Sequence, residues 1–311
     1  MITDDHFTQA QPIIERVAGE ATKLFLPLIQ HGEIIITQGF SGSTANGITT
    51  TIGRGGSDYS ASIFGAVLGA EEIQIWTDVD GFLTADPRLQ PDPRLQPDAR
   101  LINEMTFDEA AELAYFGAKV LHPSTILPAV RKNIPVRVLN SKRIGSTGTL
   151  ITSQATPMSA FALKSIAYKK GVTVVTIRST RMLMAHGFLA RVFEVFAQHQ
   201  KSIDVVATSE VGVSLTVDND GGLEGIAAEL RTFAEVAVDG GRAVLCVVGT
   251  NMKRTKGVAA DIFQSLMNAG VNIELISHGG SEINLTFVIS ESDIPNAVSA
   301  LHKKFFSQQP S

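Results

Sequence analysis

The run Thr49-Thr50-Thr51-Ile52-Gly53-Arg54-Gly55-Gly56-Ser57-Asp58-Tyr59-Ser60 holds residue types that bind an anion. Gly53, Gly55 and Gly56 lack the side chains that would keep a phosphate or carboxylate away from the backbone N–H groups. A helix-like run over residues 60–68 points its positive end at the same place. Arg54 adds a planar cationic fork, and Ser57 or Asp58 is placed to cap the helix. A tight turn with an N-cap is the plainer reading of the same residues. The spacing matches neither G-x-x-x-x-G-K-[ST] nor a G-x-G-x-x-G that opens a βαβ unit, so the ligand class has to come from elsewhere in the chain.

The flanking elements set where such a loop would sit. Residues 7–28 carry apolar side chains at helical spacing, His31-Gly32 ends that run, and residues 34–37 read as a buried strand. Residues 73–76 read as the next strand. Strands alternating with helices imply an α/β sheet, with ligands gathered beyond the C-terminal strand ends. Thr77-Asp78-Val79-Asp80-Gly81-Phe82-Leu83-Thr84-Ala85-Asp86-Pro87-Arg88 lies at such an end. Its carboxylates suit a ribose or an ammonium and Arg88 suits a phosphate, with an Asx-stabilised turn as the alternative. The tandem Pro87-Arg88-Leu89-Gln90-Pro91-Asp92 and Pro93-Arg94-Leu95-Gln96-Pro97-Asp98 lengthens a surface loop. A helix is expected over residues 107–116, then Gly117-Ala118-Lys119-Val120-Leu121-His122-Pro123, a helix over 124–131 and a strand over 135–139. Lys119 is placed either to neutralise phosphate charge or to serve as a dipole partner at a helix end.

The chain has 311 residues, 44% of them hydrophobic, which allows a sizeable core and two or three domains. A formal net charge of −5 without a long Lys/Arg run argues against nucleic-acid binding through charge. The single cysteine, Cys246, lies in the apolar run 243–248 and reads as a small buried hydrophobe, so no intrachain disulfide is expected. The acidic start does not resemble a signal peptide, and no apolar run approaches the roughly 18 residues of a membrane span. A cytoplasmic protein without membrane partners is the expectation.

Beyond a linker-like stretch at 152–159 the chain repeats itself. Gly187-Phe188-Leu189-Ala190-Arg191-Val192-Phe193 aligns with Gly257-Val258-Ala259-Ala260-Asp261-Ile262-Phe263 seventy residues on, and the same offset matches Ile203-Asp204 with Ile273-Glu274. Each copy reads as strand, Gly-led helix, two strands and a second helix. Strands are expected at 172–177 and 243–248, and the second helices at 223–233 and 294–305. Two such units imply paired ligand sites or a dimer surface.

Three motifs resemble the aspartokinases, in their order: Thr50-Thr51-Ile52-Gly53-Arg54-Gly55-Gly56-Ser57-Asp58-Tyr59-Ser60-Ala61; Trp76-Thr77-Asp78-Val79-Asp80-Gly81 with Thr84-Ala85-Asp86-Pro87-Arg88; and Phe116-Gly117-Ala118-Lys119-Val120-Leu121-His122-Pro123. The resemblance implies an α/β fold: the C-terminal part of an amino-acid-kinase three-layer α/β/α sheet over residues 1–152, then ferredoxin-like (βαββαβ) ACT domains at 160–235 and 236–311. It implies ATP-dependent phosphorylation of the L-aspartate β-carboxylate with Mg²⁺, without a resident metal. Arg54, Gly55 and Ser57 would hold aspartate, and Asp58 would organise a phosphate-binding lysine. Thr77, Asp78, Arg88, Lys119 and Val120 would line the nucleotide site. Met182, Gly187, Phe188, Leu189, Ile203 and Asp204, with Thr208, Ser209 and Glu210 near them, would take lysine or threonine as effector at a homodimer interface. Leu83 stands where the family often has tyrosine, Arg94 rivals Arg88, and Ala185 replaces a frequent hydroxyl. The family's opening Lys-Phe-Gly-Gly-Thr-Ser motif does not occur. The alternative implied is an amino-acid-sensing regulatory dimer without turnover.

Overall fold

The computed structural model describes every residue except 87, 88, 90–98, 117–119, 155–161, 180–185, 219–220, 279–281 and 308–311. The chain divides into two units, residues 1–84 with 100–158 and residues 85–99 with 159–311.

The first unit contains α1 (Ile14–Gln30), β1 (Ser41–Ser43), β2 (Thr49–Thr51), α2 (Gly56–Leu68), β3 (Ile73–Thr77), β4 (Glu104–Thr106), α3 (Phe107–Tyr115), a 3₁₀ turn (Pro123–Ile126), α4 (Leu127–Lys132), β5 (Val136–Asn140) and β6 (Thr149–Thr152). Its four-stranded sheet runs β3-β5-β6-β4, with β3 parallel to β5, β5 antiparallel to β6 and β4 parallel to β6. Met105, Ala110, Leu113, Ile126, Val136, Val138 and Ile151 are fully or almost fully buried and form its centre. Thr106 starts α3 with a capping box, its hydroxyl accepting from the Glu109 N–H while the Glu109 carboxylate accepts from the Thr106 N–H. β4 and β6 are too short to show a periodic signal, and both escape the sequence reading.

The strand expected at residues 34–37 is not formed. Ile34 and Ile36 are 92% and 94% exposed, and residues 33–38 join no sheet. An apolar run becomes a strand only when a neighbour takes its N–H and C=O groups, and none of the described residues does so. α1 is half-covered for a related reason. Val17 and Ala21 are buried and Phe25 packs 5.7 Å from Phe64 of α2, while Leu24 and Leu28 remain exposed.

The second unit contains β7 (Ala162–Arg178), α5 (Phe188–Gln198), β8 (Val206–Thr208), β9 (Gly212–Asp218), α6 (Leu223–Leu230), β10 (Glu235–Thr250), α7 (Val258–Asn268), β11 (Ile273–Ser277), β12 (Asn284–Ser290) and α8 (Ile294–Phe306). They build one antiparallel sheet in the order β11-β12-β10-β7-β9-β8. The seventy-residue repeat is visible in three dimensions. Gly187 and Gly257, both left-handed, lead α5 and α7, and Val172 faces Arg242 across the β7–β10 pairing. Those two residues are themselves one repeat apart, so an approximate two-fold axis passes between them. Gly171 and Gly241, each with φ +68°, stand beside the axis, where only glycine turns the strand without cost.

β7 and β10 are much longer than expected because each serves both repeats. Residues 172–178 of β7 pair with β9, and residues 162–169 pair with residues 244–250 of β10. A division at residue 235 thus follows chain order, while the hydrogen-bonded ladder crosses it. Ala85 and Leu89, which belong to this unit, are buried among Leu163, Ile166, Leu245, Phe287 and Leu301.

Candidate functional site

Gly55, at φ +72°, is the N-cap of α2, and Gly53 has φ +88°. The helix therefore begins at Gly56, earlier than residue 60. Ser57 and Asp58 lie inside its first turn rather than capping it, and no side chain caps it. The Gly56 N–H donates to the Gly53 carbonyl at 3.1 Å and the Tyr59 N–H to the Gly55 carbonyl at 3.0 Å. The N–H groups of Ser57 and Asp58 have no partner among the described residues, which leaves two aligned donors at the positive helix end. The Arg54 and Ser57 side chains are exposed beside them.

Packing fixes this cradle. The Ser60 hydroxyl donates to the carbonyls of Gly39 and, at 2.7 Å, Gly56, and the Ser62 hydroxyl accepts the Ala129 N–H at 3.2 Å. A Cβ on Gly55 would come within 2.8 Å of the Thr125 methyl and 3.8 Å of the His122 Cβ. Close approach of Thr125, two residues beyond the third motif, thus requires glycine in the first, a link that no local sequence signal reveals.

Asp58 is half-buried, and burial raises its carboxyl above the usual aspartate range, against a bond from Ser57 that lowers it. A raised acid holds more protons folded than unfolded between the ordinary value and the raised one, so stability falls as pH rises through that window. Asp58→Asn is expected to flatten this slope. Urea midpoints measured upward from about pH 4 check it, and an unchanged slope contradicts it.

α2 packs on β3 with Gly65 against Ile73, and β3 ends at Thr77. There the Thr77 carbonyl accepts the Ser141 N–H at 2.8 Å and the Ser141 hydroxyl at 2.9 Å, while the Thr77 hydroxyl donates to Asp78 Oδ1 at 3.3 Å. The Asp78 side chain is exposed and open to a ligand. Asp80 has a different role, because Asn140 Nδ2 donates to it at 2.8 Å and Arg143 Nη1 at 2.5 Å, tying it to the end of β5. Asn140, Arg143 and Thr149, whose hydroxyl accepts the Phe82 N–H at 2.9 Å, are partners that the sequence reading missed. They lie about 60 residues away and are recognisable only once β5 and β6 are paired. Val120 is half-buried before the 3₁₀ turn, whereas Arg88, Arg94, Lys119 and Met182 fall outside the described residues. Among the described residues no cluster of acids, histidines or cysteine stands in metal-ligating geometry, and no helix is long and apolar enough to cross a membrane.

In the second unit the first turn of α5 is likewise uncapped by a side chain, with exposed Gly187 at φ +85°. The Phe188 ring packs edge-on to Phe233 at 6.0 Å, and the partly buried Leu189 and Ile203 pack against the same core. The Asp204 N–H donates to the Thr216 carbonyl at 3.0 Å, and its carboxylate accepts from Lys169 Nζ at 2.8 Å. Burial works against the Lys169 charge, but Asp204 and Asp218 outweigh it and hold the ammonium above its ordinary range. Neither Lys169 nor Asp218 was singled out in the sequence, where 35 and 14 residues separate them from Asp204.

An α/β unit with a glycine-led helix, followed by a duplicated α/β unit, is the arrangement of an amino acid kinase domain joined to ACT-type domains. The Amino acid kinase family model matches residues 5–140, and an ACT domain model matches residues 245–305. The chain is 40% identical to the lysine-sensitive aspartokinase 3 of Escherichia coli over 98% of its own length and 68% of that protein, and 41% identical to the chloroplastic aspartokinase 1 of Arabidopsis thaliana over 98% and 54%. The crystal structure of E. coli aspartokinase III in complex with lysine and aspartate superposes with a TM-score of 0.81, covering 99% of this chain and 68% of that one. Clostridium acetobutylicum aspartate kinase, 30% identical, gives 0.82 over 94% and 66%. The chain belongs to the aspartokinase family. It spans about two-thirds of the bacterial relatives and little over half of the Arabidopsis protein.

Proposed function

We propose that this chain carries the aspartate- and nucleotide-facing part of an aspartate kinase, which makes 4-phospho-L-aspartate from ATP and L-aspartate at the head of lysine, threonine and methionine biosynthesis. The observation that supports this most is the cradle of open Ser57 and Asp58 amides beside exposed Arg54 and Ser57. In the reaction a β-carboxylate oxygen of aspartate bonds to the γ-phosphorus as the bond from that phosphorus to the ADP oxygen breaks. Such a transfer needs in-line positioning and positive charge over the phosphoryl oxygens more than covalent help. Arg54, Gly55 and Ser57 orient the aspartate, Thr77, Asp78, Arg88, Lys119 and Val120 hold the nucleotide, and Asp58 positions a lysine cation. Exposed Asp78 is an oxygen donor of the kind Mg²⁺ prefers and would hold an ATP-bound Mg²⁺, whose charge would offset that of the phosphates. Solved E. coli relatives hold aspartate with lysine or with ADP, which supports the same ligand set here.

The first repeat is the effector site, taking lysine or threonine through the amides after Gly187 and the Asp204 carboxylate, in a cytoplasmic homodimer joined through its ACT domains. A second reading, a sensing dimer without turnover, is favoured by the exposure of Ile34 and Ile36, an apolar run with no sheet partner among the described residues. Trapping acyl phosphate with hydroxylamine, in the presence of ATP, Mg²⁺ and aspartate, separates the two. Aspartate-dependent product that falls about 100-fold in Arg54→Ala supports the kinase. No product above the aspartate-free blank supports the sensor.

A further inference from the structure

The amino-acid site on the first repeat already contains a cation. Lys169 Nζ lies 2.8 Å from Asp204 Oδ2 and 2.7 Å from Asp218 Oδ1, and the Asp204 side chain is only 4% exposed against 48% for Asp218. We propose that Lys169 is the counter-ion an amino-acid effector displaces from Asp204, and that Asp218 is where the displaced ammonium goes. This rests on the effector reading of the first repeat and adds the step by which the site is loaded.

Three features carry it. Among the described residues one ammonium stands between two carboxylates, so a second ammonium can take one carboxylate without stranding the first. Asp204 is buried and needs a cation at all times, whereas a Lys169–Asp218 pair at the surface survives in water at little cost. Lys169 also comes from the part of β7 paired with Val244 of β10, two residues before left-handed Gly171, while Asp204 and Asp218 belong to the first repeat. The exchange therefore breaks or makes a tie across the approximate two-fold axis. At the matching place in the second repeat, Glu274 is held by Arg242 at 2.6 Å, and Arg242 also donates to the Gly240 carbonyl at 2.9 Å. No second carboxylate lies within ion-pair distance of Arg242 among the described residues, and Asp239 acts on it only at longer range.

Calorimetric titration of L-lysine and L-threonine into the whole chain, Lys169→Met and Asp218→Asn tests the exchange. Lys169→Met should bind the effector about tenfold tighter, because Asp204 no longer has to be vacated, and Asp218→Asn should bind it several-fold more weakly. A purely structural Lys169 would weaken binding in both variants. Affinity in Lys169→Met equal to or below that of the unaltered chain overturns the proposal. Should Lys169→Met fail to fold, Asp218→Asn keeps the Lys169–Asp204 pair, and unchanged affinity there overturns it equally. Absence of binding by either amino acid to any of the three chains overturns the effector reading itself, an outcome distinct from binding that the variants leave unmoved.

Discussion

Gly148→Ala is expected to lower the melting temperature of the first unit by about 5–15 °C, from a cost of about 2–5 kcal/mol. Gly148 has φ +63°, and a Cβ there would collide with the Val138 carbonyl oxygen and stand 2.9 Å from a Leu139 methyl. Neither neighbour can yield, since both belong to buried β5. The position also serves the site. The close approach of Gly148 to β5 sets Thr149, whose hydroxyl accepts the Phe82 N–H, and Gly81 packs against that same Thr149 hydroxyl. A shifted Thr149 releases the turn that follows Asp78 and Asp80. Trp76, the single tryptophan, stands half-exposed in β3 beside Thr77, so its fluorescence reports the first unit. A variant that melts within about 2 °C of the unaltered chain, less than 1 kcal/mol, would show that β5 can move and that the backbone contact does not matter.

Phe287→Ala should have a comparable effect on the second unit, at about 3–5 kcal/mol. Phe287 is fully buried on β12, with its ring edge-on to Phe263 of α7 at 5.6 Å, and it lies among Leu245, Ile262, Leu266 and Leu301. Removing the ring leaves a cavity bounded by a central strand and two helices that cannot collapse into it. Cys246, the only cysteine, is fully buried in neighbouring β10, opposite Thr286. A thiol reagent reaches it only when the unit opens. The labelling rate in native buffer should therefore rise at least about 100-fold, since every 1.4 kcal/mol is about a factor of ten in the open population. Phe287→Leu, which keeps most of the volume, should stay within about tenfold. An unchanged rate in Phe287→Ala would mean that β10 does not open with the rest of the unit.

The two units were legible in the sequence to different degrees. The duplicated half could be read closely, because every repeat carries its own glycine, helix and strand pattern, and a strict seventy-residue offset survives independent drift only where the folded units match. α5 and α7 begin where Gly187 and Gly257 predict. The kinase half was less legible. Its glycine loop and the Thr77 end of β3 were visible, since glycine spacing and strand-to-turn transitions are local properties. The strand expected at residues 34–37 failed because the β state is completed by neighbours, and apolar residues alone cannot supply the missing ladder.

The sequence by itself determined the parts the chain is built from: a glycine cradle with Arg54 and Ser57, an acidic turn with Asp78, and two copies of an ACT-type unit. These follow from backbone freedom, charge and repetition, all of which act over a few residues or over an exact offset. Only the tertiary structure decided which charged groups remain available. It tied Asp80 to Asn140 and Arg143, left Asp78 open, kept the first-turn amides of α2 free of side-chain caps, and set Lys169 between Asp204 and Asp218. The reason is physical. A carboxylate looks the same in any sequence, and its role depends on whether a distant strand brings a cation within hydrogen-bonding distance and how much water is left around the pair.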